Sequence, residues 1–118
     1  MNGDMVMDFL IRHESCSSGV VSTILLEDMD ESEAINKARE IVSSNAQQIA
    51  NREKKASLVG LFRADGHLIC AWTATKSGKL RCEPVESIRH QFDVGRIKMD
   101  YENTRMQVRE RTRQKAAK

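Results

Sequence analysis

Histidine stands three residues ahead of cysteine twice in this chain, as His13 with Cys16 and as His67 with Cys70. Two such pairs could supply the two imidazoles and two thiolates of a tetrahedral zinc centre. The spacing opposes that chemistry wherever the backbone is extended, because residues three apart on a strand point to opposite faces of the sheet. His67 and Cys70 fall in an extended run, so His67 reads as a turn-flanking residue and Cys70 as a core thiol. No metal and no cofactor is expected. Cys16, Cys70 and Cys82 are an odd number, which fits free thiols in a reducing cytosol better than a disulfide framework.

Nucleophilic catalysis has one candidate pair, Cys82 with His90 eight residues on, across Pro84. A thiolate nucleophile needs a contacting base and a third group that orients it, and no local signature provides either. Ser15, Ser17, Ser18 and Gly19 form a polar stretch without the pattern of a nucleophile elbow or a phosphate-cradling loop. No catalytic residue is assigned, and the chain is not expected to be an enzyme.

Cations offer a different chemistry. Net charge is only +2, but from Gly95 to Lys118 eight Lys or Arg face three Asp or Glu, so this segment carries +5 and Met1–Val94 carries −3. Arg105, Arg109, Arg111, Arg113 and Lys115 are therefore the expected contacts to phosphate or to an acidic protein surface. No recognition motif accompanies them: there is no aromatic pair on a strand, no GXXG loop and no helix-turn-helix spacing.

These residues must be held by one small domain, since 118 residues fit a single domain. Ile, Leu, Val and Phe number 26 of 118, just above the roughly 20% at which chains fail to build a core. No run approaches the ~18 apolar residues of a membrane span, and Asp4 stands where a signal peptide would carry positive charge. A cytoplasmic protein without membrane contact is the expectation.

Met5, Met7, Phe9 and Ile11 alternate as in a half-buried strand over Met5–Ile11, and the β-branched run Val20–Leu26 reads as its hairpin partner. The acidic run Glu27–Glu33 precedes a helix over about Glu31–Asn51, whose stripe is Ile35, Ala38, Ile41, Val42, Ala46 and Ile49. Asp30 caps it, with Glu33 three residues later. Asp65 and Gly66 separate two apolar runs, Leu58–Arg63 and Leu68–Ala74, the strongest short-range signal of a hairpin. A two-residue turn there pairs every residue with the one whose number completes 131. It places Val59, Leu61, Leu68, Cys70 and Trp72 on one face, and Leu58, Phe62, Ile69 and Ala71 on the other. A turn at Lys76–Lys79 and a short strand at Leu80–Pro84 follow. Val85–Phe92 fits either one helical turn or an irregular crossing. From Val94 the seam of Ile97, Tyr101, Thr104 and Val108 marks a final helix, expected to fray beyond Val108.

The sequence thus specifies an α+β domain, an antiparallel sheet of about five strands in the order ββαβββ with one helix packed on it, over residues 1–94. A basic C-terminal helix or tail follows over 95–118. Both faces of the 58–74 hairpin are apolar, so one helix leaves one face uncovered. The C-terminal helix, a second copy or another protein must cover it. The expected function is accordingly a non-enzymatic binding protein that docks on a larger protein or nucleoprotein as inhibitor or adaptor, with Phe62, Ile69 and Trp72 as apolar contacts. The alternative is nucleic-acid binding through the basic helix without strong sequence specificity, and self-association into a homodimer is a further option.

Overall fold

The computed structural model describes residues 6–15, 21–52, 57–74 and 80–116. Its elements are β1 (Met7–Ser15), β2 (Val21–Met29), α1 (Glu31–Arg52), β3 (Ser57–Arg63), β4 (Leu68–Ala74), β5 (Leu80–Glu83), α2 (Val85–Ile88) and α3 (Val94–Ala116), with a 3-10 turn at Arg89–Gln91 between α2 and α3. The strands form one antiparallel sheet in the order β2-β1-β3-β4-β5. The α+β class and the ββαβββ order are those the sequence implies. The part of the first strand at Met5 and the turn at Lys76–Lys79 lie outside the described residues.

Side chains alternate across the sheet and build two cores. On one face Phe9, Ile11, Val59, Leu61 and Trp72 pack beneath α1. Ala34, Ala38 and Val42, four residues apart, are all buried, and the two alanines let that helix lie close to the sheet. Its start is capped as expected, the Glu33 N–H donating to Asp30 Oδ1 at 2.8 Å. On the opposite face Leu10, Leu58, Phe62, Leu68 and Ala71 meet Ile88, Phe92, Ile97 and Tyr101. Phe92 stands edge-on to Phe62, ring centres 5.0 Å apart and planes at 77°. Two helical layers therefore sandwich the sheet, and of the covers expected for the second face it is the C-terminal helix, with the segment before it, that supplies one. The uncovered face is closed by the chain's own segment 85–101.

The β3–β4 hairpin departs from the simple turn. Gly66 N–H donates to Arg63 O, and Arg63 N–H donates to His67 O, both at 2.9 Å, so the loop holds three residues, Ala64 to Gly66, with Gly66 at φ +90°. This shifts the first pair to Phe62 with Leu68. A bulge then restores the expected register, with Leu61 opposite Cys70 and Val59 opposite Trp72. The consequence is local: Leu68 joins the Phe62 face, and Ile69 moves to the α1 face, the reverse of their expected places.

Both strands of the first hairpin run on into polar sequence. β1 continues through Arg12, His13 and Glu14, and β2 through Glu27 and Asp28, where a bulge puts Asp28 at φ 54° and its N–H donates to Asp8 Oδ1 at 3.1 Å. A charge such as Arg12 reads as a strand terminator in sequence but is tolerated here because α3 brings it a counter-charge.

Candidate polyanion interface

α3 crosses the sheet from the β3–β4 loop to the far edge. Near its start Val94 and Lys98 lie against Gly66, where a Cβ would stand 2.8 Å from Val94 Cγ1. Ile97 then enters the core. Over β1, Asp100 Oδ2 accepts a hydrogen bond from Arg12 Nε at 2.8 Å, and the Tyr101 hydroxyl points to Asp8 at 3.5 Å. Over β2, the Thr104 and Thr23 hydroxyls are 2.8 Å apart, and Thr104 also donates to Asp100 O at 2.7 Å.

Arg12 is the centre of this polar half of the interface. Its side chain is 3% exposed, and Glu14 Oε2 accepts from Nη1 at 2.9 Å, so two carboxylates neutralise one buried guanidinium. Such a charge is stable only when paired and hydrogen-bonded. Tyr101 has its hydroxyl pKa raised above the ordinary 10.0, first by burial and then by the Asp8 carboxylate.

The seam positions are buried at Ile97, Tyr101 and Thr104, half-buried at Val108, and end there. The helix does not fray at that point but continues to Ala116, with Arg109, Glu110, Arg111, Thr112 and Arg113 all exposed. By helical spacing Arg105, Arg109 and Arg113 share one flank. Arg105 is half-buried, 3.6 Å from Glu102. Lys98, seven residues before Arg105, is exposed on the same flank, an interval present in the sequence but masked there by the nearby Asp100 and Glu102. Arg111, three residues after Val108, falls on the seam side instead. The side chain of Lys115 lies outside the described residues. The boundary expected at residue 94 falls at the start of α3, whose first turns belong to the core.

The apolar contacts expected from sequence take other roles. Phe62 is fully buried and Trp72 is 3% exposed, each within this chain, and Ile69 is half-buried against the α1-side core. Phe9, Phe92 and Tyr101 are buried too, so every aromatic side chain is committed to the interior. Among the described residues the exposed large apolar side chains are Val6, Ile24, Val94, Met99 and Met106.

Other candidate chemistry is dispersed. Cys70 is half-buried, its thiol pKa raised first by burial and then by Cys82. Cys82, His90 and His67 are exposed, and Cys16 lies outside the described residues. Among the described residues no three His, Cys, Asp or Glu side chains gather as a metal site. A cavity of about 280 Å³ at the start of α3 is lined by Phe62, Leu68 and Phe92 together with Asp65 and Arg89. No helix among the described residues is long and apolar enough to cross a membrane. Comparison with models of known families, with curated proteins and with solved structures finds no match.

Proposed function

We propose that this chain is a non-enzymatic binding protein whose contact element is the arginine flank of α3, and that its partner is a nucleic acid, free or within a nucleoprotein. The observation that carries the reading is that α3 outlasts its own seam. Residues 109–113 make no core contact that would need a helix there, yet they hold three arginines against one glutamate, all exposed. Phosphate binding needs an array of cations and no apolar anchor. Protein interfaces draw their affinity from aromatic and apolar anchors in desolvated pockets. With all five aromatics buried, this surface suits phosphate better. Without base-stacking groups or a groove-reading motif, binding is expected to be insensitive to sequence. A chain acting this way would serve as an adaptor or inhibitor by occupying the backbone of a larger assembly.

The test is fluorescence anisotropy with duplex and single-stranded DNA across salt. Arg105, Arg109 and Arg113 on one flank give a slope of log K against log[salt] of about −2.7 on duplex, so affinity falls about 40-fold between about 50 and 200 mM salt. Arg109→Gln with Arg113→Gln brings the slope to about −0.9. Absence of binding at low salt, or a slope unchanged in the double variant, refutes the reading; an acidic protein surface is then the remaining partner class for these cations.

A further inference from the structure

We infer that the free edge of β2 is where a second copy of this chain docks, the two β2 strands pairing antiparallel into one continuous sheet. Among the described residues β2 pairs with β1 alone. It is nine residues long and carries no proline, lysine or arginine between Val21 and Met29, and the bulge at Glu27–Asp28, near its end, is the one edge-blunting backbone feature among its residues. Its acids, Glu27 and Asp28, sit at one end only, and mid-strand Ile24 is 42% exposed.

α3 supplies the second observation. It meets β1 at Asp100 and β2 at Thr104, four residues or about 6 Å along the helix, close to the spacing of neighbouring strands. Val108, four residues further, therefore lies over the place of a strand beyond β2, and Arg111 just past it. The helix roofs a strand position that the described chain leaves vacant.

Reciprocity selects a second copy as the occupant. Pairing about Leu25, the middle of Val21–Met29, is isologous and sets Glu27 of each copy opposite Thr23 of the other. That is where α3 passes, so the seam-side Arg111 meets an acid, and the two acidic ends stay apart. The two α3 helices then cross four residues apart along the strands, about 14 Å, leaving room for both. Pairing about Ile24 would bring them to about 7 Å, inside the 8–10 Å of packed helices. The inference does not rest on the nucleic-acid reading, because the phosphate flank is Arg105, Arg109 and Arg113 and leaves Arg111 to the dimer.

The test is light scattering behind gel filtration on the full chain, with circular dichroism to confirm folding of each variant. The unmodified protein is expected at twice 13.4 kDa, and Ile24→Lys at 13.4 kDa. Arg111→Glu, at an exposed helical site, weakens association about tenfold because the contact occurs twice per dimer. Adding Glu27→Arg to Arg111→Glu restores it. Three results overturn the inference: an unmodified chain that stays monomeric at about 200 µM, a dimer unweakened in both single variants, or an Arg111→Glu, Glu27→Arg double variant no tighter than the single one. DNA binding retained by monomeric Ile24→Lys separates the two proposals.

Discussion

Replacing Asp100 by alanine removes one of the two carboxylates that hold the Arg12 guanidinium beneath α3. Arg12 is 3% exposed and cannot reach water without lifting the helix, while its other partner, Glu14, is 36% exposed. Breaking a buried pair from one side costs about 3–5 kcal/mol. Asp100 is itself 26% exposed, which places the change near the lower end, at about 3 kcal/mol. Unfolding entropy of about 2.1 cal/mol/K per residue over 118 residues gives about 0.25 kcal/mol/K, so Tm falls by about 12 °C. Replacing both partners together, Arg12→Met with Asp100→Leu, takes away the buried charge with its counter-charge and brings Tm back toward the parent. Differential scanning calorimetry reads both. An Asp100→Ala variant within about 3 °C of the parent refutes the buried clamp as the anchor of α3, since that shift is below 1 kcal/mol on the same scale.

Gly60→Ala places a Cβ 2.6 Å from Phe62 Cε1 and Cζ, and Phe62 is fully buried against Phe92, so the ring has nowhere to retreat. The expected loss is about 1–3 kcal/mol, read from the urea midpoint, and an unchanged midpoint contradicts the packing. Tyr101 and Cys70 both hold their protons more tightly folded than unfolded, so their contribution is full below the unfolded values of 10.0 and 9.0 and is lost as pH rises through the higher folded ones. Stability should therefore fall above about pH 9. Tyr101→Phe should remove the upper part of that fall and leave the Cys70 part, as denaturation midpoints across this pH range would show.

Local grammar carried much of the fold into the sequence. Asp30 before a helical stripe, Asp65–Gly66 between two apolar runs, and a seam stepping by three and four after Val94 each state an element by a short-range physical rule. What the sequence did not carry was non-local. Leu68 and Ile69 exchange faces because one added loop residue is absorbed by one bulge, and no propensity records that compensation. Arg12 reads as the end of a strand because one of its two neutralising partners, Asp100, lies 88 residues away. The candidate cations were legible as composition, but the split between the Arg105 flank and the seam-side Arg111 needed the path of α3 over the sheet.

The 58–74 hairpin is apolar on both faces, and something does cover the second one. The cover is Ile88, Phe92, Ile97 and Tyr101 of the same chain, which spends every aromatic residue on the interior. The final helix has to be long enough to cross from the β3–β4 loop to β2, and at about 1.5 Å per residue that crossing is complete by Thr104. Every residue after Val108 is helix beyond what the fold requires. Selection for folding alone leaves such residues unspecified in charge, whereas an exposed arginine row with one acid among it raises the electrostatic cost of the isolated chain. On the proposed reading an anionic partner recovers that cost, and the salt slope of binding measures it directly.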